Sequence, residues 1–500
     1  MRSVPSSRLC PGTAALLLLL GCAALNATPA EFSAKRYLFL DPALLVSTEN
    51  LTVAINPPVR REVVLRPDRP WESLMFGFFS ATLQEGDRLR MWYMARDRKG
   101  PNYIAYAEST DGVNWIKPEL GLVEYGGSTA NNLTNAGSSI APFVDLNALP
   151  TERYVAISNI KFPNGGVGRY YSADGLDWKH DPSGFLMFPS DTLNVSFWDQ
   201  RLGKYVVYLR GWTPKYRDVK RIEVDSLAKP TGITPTGKGR PSGKKESLRY
   251  LLDELPTVFA CDEGDPSRTD IYGMAAQPYP LDPTWYVAFP AFLRRGEASD
   301  GPSRRGPDRG PVEVGFAGSR NGIAWQRYDR KPYASPSLSS PEKCNMVFMS
   351  TGLAVKGDEI WQYANEFRSE HGDVAVREQM ADAGNRDGVI VRYVQRIDGF
   401  TALTAGHGTG TARTVPIRVT GDRLLLNVDT GALGEVQVGL RDEYGQPIEG
   451  FELDDCPPLQ NNATGVAVAW TGRDLAALKG SLVSIEFRMR RAKLFSFRFE

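Results

Sequence analysis

The sequence predicts an all-β chain: a five-bladed β-propeller followed by a small C-terminal antiparallel β-sandwich. Three observations predict it. A short aromatic or β-branched strand occurs five times, as Arg90-Met91-Trp92-Tyr93, Tyr154-Val155-Ala156-Ile157, Tyr205-Val206-Val207-Tyr208, Tyr286-Val287-Ala288-Phe289 and Ile360-Trp361-Gln362-Tyr363. The copies are spaced by about 67 residues, and self-similarity at a fixed period marks a repeat architecture. A turn recurs with the strand: Ser109-Thr110-Asp111-Gly112 before Trp115, Ser172-Ala173-Asp174-Gly175 before Trp178, and Ser319-Arg320-Asn321-Gly322 before Trp325, with decayed copies ending at Asp225 and at Asp398-Gly399. Short strands closed by such turns are what a propeller blade needs. Finally, 48 glycines, 35 prolines and 10% aromatic residues suit many strands and turns, and no long segment shows a clean apolar period of a helix.

The elements follow in order. Residues 1–30 read as a signal peptide: Arg2 and Arg8 precede an apolar run over 14–25 that is too short to span a bilayer as an ordinary helix. Two exits are open. Leu19-Leu20-Gly21-Cys22 resembles a lipobox and would put a lipid anchor on Cys22, whereas cleavage after Ala27 or Ala30 would release the chain. Either way it is secreted or held in the cell envelope. Residues 31–70 form an extended lead-in, which Pro57, Pro58, Pro67 and Pro70 keep from being helical. A segment of this kind is suited to supply the strand that closes a ring, because an open ring leaves a sheet edge unpaired. The propeller occupies residues 71–400. Basic stretches over 238–249 and 294–309 read as solvated insertions between strands, or as an arm for an anionic ligand. Residues 401–500 form the accessory sandwich, from strands around Leu424, Val436, Ile485 and Leu494 and a turn at Asp442-Glu443-Tyr444-Gly445.

Bulk properties narrow the function. With 59 basic and 58 acidic residues the net charge is +1, so the overall balance does not point to a polyanion partner, and no nucleic acid is expected. Cys261, Cys344 and Cys456 are an odd set and read as buried free thiols. His180, His371 and His407 are scattered without metal-ligand spacing. No serine-hydrolase elbow or phosphate-binding loop is present, so neither metal nor cofactor is expected.

In a propeller the innermost strand of each blade lines a central channel, and polar residues at its leading end converge on one mouth. Counting back about 20 residues from each repeated strand reaches Glu72, Asp191, Asp270 and Glu342, and in the second blade only Ser138 and Ser139. Two carboxylates flanking a glycosidic bond suffice for hydrolysis; a third shifts the pKa of its neighbours. The predicted catalytic set is therefore Asp270 and Asp191 as acid/base pair with Glu72 as helper. Trp71 and Tyr272 are candidate sugar platforms, Arg210 and Arg217 candidate cationic donors to sugar hydroxyls, and Glu366 and His371 candidate rim residues. The plain alternative for each acid is a turn or cap residue. Asp111, Asp174 and Asn321 recur with the scaffold and are structural, and Trp115, Trp178 and Trp325 should pack between blades.

Met91-Trp92-Tyr93, the Ser-x-Asp-Gly-x-x-Trp repeats and Lys117-Pro118-Glu119-Leu120-Gly121 resemble the five-bladed propellers related to glycosyl hydrolase families 32 and 43, in particular secreted planctomycete-type propeller proteins. The resemblance spans about residues 60–500 and implies an exported glycoside hydrolase-like protein that cleaves a poly- or oligosaccharide. The Trp-Met-Asn-Asp-Pro motif of invertases is absent, with Trp71-Glu72 nearest its place, and the second blade lacks the carboxylate of the family 43 set. A non-catalytic carbohydrate-binding propeller and a cell-envelope scaffold are the alternatives, because a fold does not fix an activity.

Overall fold

The computed structural model describes residues 36–500 except 161–165, 183, 187–189, 192, 213–215, 234–239, 242–247, 250–254, 297–308 and 340–342. The predicted signal segment, Cys22, Glu342 and most of both basic stretches lie outside the described residues. The chain is all-β; among the described residues one α-helix is present, Val374–Asp382. No described helix is long and apolar enough to cross a membrane.

Each of the five repeated segments lies in a strand hydrogen-bonded on both sides. The first sheet runs Met75–Glu85, Arg88–Arg96, Asn102–Ser109, Leu133–Thr134. The second runs Phe143–Val144, Tyr154–Ile160, Gly166–Ser172, Lys179–His180. The third runs Val195–Asp199, Lys204–Trp212, Arg217–Val224, Thr257–Phe259. The fourth and fifth groups, expected as separate sheets, are joined into one of nine strands by a single parallel pair, Val312 to Met346. Within it Thr269–Tyr279 and Asp282–Arg294 lead the fourth group, and Met346–Met349, Glu359–Phe367 and Val389–Arg396 form the fifth. The last strand of the fifth group is Val59–Leu65, from the lead-in.

The apolar runs are continuous because these sheets are covered on both faces. Along Arg88–Arg96, Met91 and Tyr93 join a core with Tyr363 and Ile390 of the fifth group, whereas Trp92 joins one with Tyr154 and Trp178 of the second sheet. The recurring turn stitches neighbouring sheets. In each copy the serine hydroxyl accepts from the glycine N–H, and the Asp or Asn side chain accepts from the next two N–H groups. The glycine carbonyl then accepts from an aromatic of the adjacent sheet: Gly112 from the Tyr363 hydroxyl (2.9 Å), Gly175 from Trp92 Nε1 (2.7 Å) and Gly322 from the Tyr208 hydroxyl (2.8 Å). Trp115 and Trp325 meet Tyr363 and Tyr208 edge-on. Asp111, Asp174 and Asn321 are thus scaffold residues.

One consequence is testable. Gly322 has φ +68°, and a Cβ there would run into the Tyr208 hydroxyl. Gly322→Ala is expected to cost about 2–4 kcal/mol, from a left-handed Cβ plus overpacking, read as a lowered denaturation midpoint. Gly203→Ala, at φ +60° with open space around it, should cost only about 1 kcal/mol.

The lead-in divides between two bodies. Tyr37–Leu38 and Leu51–Ile55 join a six-stranded sheet with Thr401–Ala405, Lys493–Phe499, Leu424–Asp429 and Asn462–Ala467. Leu45–Glu49 joins a five-stranded sheet with Gly410–Thr414, Leu482–Arg490, Glu435–Arg441 and Ile417–Arg418. The two sheets share one core, in which Leu403, Leu426 and Phe497 meet Val438, Ile485 and Phe487. Asp398 sits at the joint: it accepts from the Tyr279 hydroxyl (2.7 Å), from Arg36 (2.9 Å) and from the Ser496 hydroxyl (2.7 Å).

Cys261, Cys344 and Cys456 are free thiols. Burial pushes Cys261 and Cys344 up to about 12. Because the thiolate is the nucleophile, maleimide is expected to label them about a thousandfold more slowly than an exposed thiol at neutral pH, and fully after denaturation.

Candidate functional site

A cavity of about 290 Å³ opens where the leading ends of the inner strands meet, and every sheet group reaches it: Phe78 from the first, Ser138 and Ser139 from the second, Asp191 from the third, Tyr272 from the fourth, His371 from the fifth. A second cavity, of about 470 Å³, is also lined by all five groups, with Thr82, Phe143, Ser196, Gln277 and Thr351 among its residues.

The first cavity is shaped by two irregularities. In Met75–Glu85 the pairing slips between Phe76 and Ser80, so that Gly77, Phe78 and Phe79 bulge. In Thr269–Tyr279 it slips between Ile271 and Gly273, leaving Tyr272 as the extra residue. Bulges re-aim side chains out of a ladder, and here they turn aromatic rings toward one another. Tyr272 meets Phe78 edge-on at 5.6 Å and His371 at 4.7 Å. Both bulges need a glycine: a Cβ on Gly77 would strike Met94, and one on Gly273 would meet Phe79 at 2.9 Å.

Behind Tyr272 lies a row of alternating charge. The Arg210 guanidinium stands 4.2 Å from the Tyr272 ring centre and that of Arg217 5.5 Å, within cation–π range. Arg210, fully buried, donates through Nη1 to Asp191 Oδ2 at 2.7 Å, and Arg217 donates to Asp270 Oδ2 at 2.5 Å. Burial raises the Tyr272 phenol while Arg210 and Arg217 pull it the other way, so the ring is a neutral donor at neutral pH.

Of the nine predicted site residues, the cavity gathers Asp191, Tyr272 and His371. Asp191 is the exposed acid: its side chain is 53% accessible, Oδ2 is held by Arg210, and Oδ1 has no hydrogen bond among the described residues. Arg210 and Arg217 support the floor from behind rather than line it.

Four expectations are corrected. Asp270 does not face the cavity: it is buried between Arg217 and Arg295 (3.4 Å), and its second oxygen takes the Arg217 N–H. Its charge is used to hold the third sheet to the fourth. Glu72, with a side chain 0% exposed, accepts from Tyr93, Lys117 and the N–H groups of Asp68 and Arg69. It caps a turn and pairs Lys117 inside the first sheet, so it can neither reach a substrate nor exchange a proton with one. Trp71 packs edge-on against Tyr125 and donates to Asn132 at 2.9 Å, away from the cavity. Glu366 is held by both arms of Arg60 (2.8 Å each) and by the Tyr393 hydroxyl (2.7 Å).

Two cationic residues in the lining were missed: Arg96, at the end of the first repeated strand, and Arg377, on the helix Val374–Asp382. Neither carried a motif. The bulges had a sequence signal in Gly77 and Gly273, since an isolated glycine inside a strand run marks a bulge. Among the described residues, no group of three or more His, Cys, Asp or Glu is placed to hold a metal ion.

No protein-family model matches the chain, and no curated protein matches it. The solved structures to which it is similar include glycoside hydrolases. A glycosyl hydrolase from Bacteroides ovatus is 17% identical, with 68% of this chain and 94% of that one covered and a TM-score of 0.41. A structure from a study of GH130 mannoside phosphorylases and of glycoside hydrolases that target β-1,2 mannosidic linkages in Candida mannan is 15% identical, with 72% and 96% covered and a TM-score of 0.40. A fructofuranosidase from Schwanniomyces occidentalis, complexed with fructosylnystose, is 9% identical, with 88% and 96% covered and a TM-score of 0.40.

Proposed function

We propose that the chain is an exported, glycoside hydrolase-like protein that takes a poly- or oligosaccharide into the cavity at the leading ends of its inner strands and cleaves a glycosidic bond there. The reading carries with it a ring of five blades, closed by Val59–Leu65 on the fifth sheet group, and a two-sheet accessory body. The contacts that run from fifth group to first, first to second and third to fourth through Gly112, Gly175 and Gly322 support the ring. Export rests on the apolar N-terminal segment, with release or a lipid on Cys22 as its two outcomes.

The single observation that carries the activity is Asp191: an exposed carboxylate whose Oδ1 has no hydrogen bond among the described residues, beside an aromatic floor, in a cavity that all five sheet groups build. A carboxyl in that position can pass a proton to a leaving oxygen or take one from water, while Tyr272 and Phe78 offer ring surfaces to a sugar.

A second reading has its own observation. Asp191 is the one carboxylate among the described residues of the lining, and hydrolysis by the usual route asks for two. A propeller that binds glycan without turnover fits that count. Incubating the full-length mature chain with a panel of plant, algal and microbial polysaccharides and measuring reducing-end release separates the two. Product release that depends on Asp191 supports cleavage, whereas binding to any of them without release overturns it in favour of a binding protein.

A further inference from the structure

The cavity is richer in positive charge than the chain as a whole. Arg96 lines it with an exposed side chain that makes no hydrogen bond or ion pair among the described residues. Arg377 lines it from the helix. Its Nε donates to the Ser369 hydroxyl and its Nη2 to the Glu370 carbonyl, both at 2.8 Å, and Asp387 stands 3.7 Å away. Asp387 is itself engaged by Ser369 and by the N–H groups of Arg368 and Gly388. The two guanidiniums feel each other: burial lowers Arg377, and Arg96 adds to the effect. Against them stands Asp191, whose charge Arg210 already balances at 2.7 Å. His371 brings its imidazole to the same lining, 4.7 Å from the Tyr272 ring. Nothing in the described lining neutralises Arg96.

A concave site with one sign of charge in excess concentrates ligands of the other sign, and a guanidinium recognises a planar or tetrahedral oxyanion through paired N–H donors. We infer that the cavity selects an anionic glycan, one whose sugar carries a carboxylate or a sulfate ester, with Arg96 and Arg377 receiving the oxyanion and Tyr272 and Phe78 the ring. The inference rests on the carbohydrate reading above and names its substrate class. Whole-chain charge could not show it, since the +1 total averages over a surface on which acids and bases alternate.

The experiment is calorimetric titration of the full mature chain with oligogalacturonate, oligomannuronate and a heparin-derived tetrasaccharide. Each is set beside its carboxyl-reduced or desulfated counterpart, and inorganic phosphate is titrated separately. At least one charged probe is expected to bind about tenfold or more tightly than its neutral partner, with a gap that narrows as salt is added. Arg96→Ala should shrink that gap to about threefold or less, and Arg96→Lys should restore part of it. Because Arg96 is exposed, circular dichroism is expected to show an unchanged fold for both variants. Neutral partners that bind as tightly as the charged ones overturn the inference and leave the carbohydrate reading standing. Failure of every oligosaccharide, charged and neutral, overturns both. Phosphate binding that Arg96→Ala abolishes, with no advantage for any charged glycan, moves the oxyanion from the sugar to free phosphate and overturns the glycan-borne assignment.

Discussion

Asp191→Asn is expected to lower turnover on a cleaved glycan by about 10²–10⁴-fold, the contribution of a positioned proton-transfer group, while substrate still binds. The amide keeps the shape and still accepts from Arg210, so the floor under Tyr272 stays in place; what is lost is a group at Oδ1 that can hold and release a proton. The contrast with Asp270→Asn makes the prediction specific. That substitution leaves Arg217 and Arg295 facing a neutral side chain in the interior. Its effect should therefore appear as lost stability, on the scale of about 3–5 kcal/mol for a broken buried pair, with turnover per folded molecule changed little. If Asp270→Asn removes turnover in a protein that remains folded, or Asp191→Asn leaves it intact, the assignment of the exposed acid is wrong. The comparison is made on folded protein, with circular dichroism and a thermal melt beside each rate.

The repeated strands and their turns were legible in the sequence because their signals are local. An Asp-Gly or Asn-Gly turn fixes a positive φ and a set of short hydrogen bonds within a few residues, and Trp92, Tyr208 and Tyr363 announce buried strands by their composition alone. The site was legible only in part, for a physical reason. Counting back from a repeated strand locates the leading end of an inner strand, and it reached Ser138, Ser139, Asp191 and the neighbourhood of Tyr272. It does not say which way a side chain turns. Neither Glu72 nor Asp270 is in the cavity lining, and each finds a cation indoors: Lys117 for the first, Arg217 and Arg295 for the second. A carboxylate that has such a partner is as much a fold residue as a tryptophan. Nor does spacing reveal a bulge, which shifts Tyr272 out of the alternation that would otherwise decide its face. Arg377 could not be found at all by counting back from the repeated strands, since it comes from a helix set between two strands of the fifth group.

The second large effect is expected at Arg60, where the lead-in is fastened to the fifth sheet group. Val59–Leu65 pairs with Val389–Arg396, and Arg60 donates through Nε and Nη2 to the two oxygens of Glu366 on the neighbouring strand Glu359–Phe367. The Glu366 side chain is 1% exposed, whereas that of Arg60 is 28% exposed. Removing the cation takes two hydrogen bonds from a buried carboxylate that keeps the one from the Tyr393 hydroxyl, and Arg60→Met is expected to cost about 3–5 kcal/mol. The loss should be felt first where the strand docks: amides of Val389–Arg396 that pair with residues 59–65 should exchange with solvent faster, ahead of those in the first sheet. Replacing both partners, Arg60→Met with Glu366→Leu, removes the unpaired charge along with the pair and should recover most of the cost. That recovery is what separates a fastening from a substrate contact. If Glu366 instead served a ligand, the double variant would regain stability and still lose binding; the structure, which closes both of its oxygens onto Arg60 and Tyr393, leads us to expect binding at the cavity to survive.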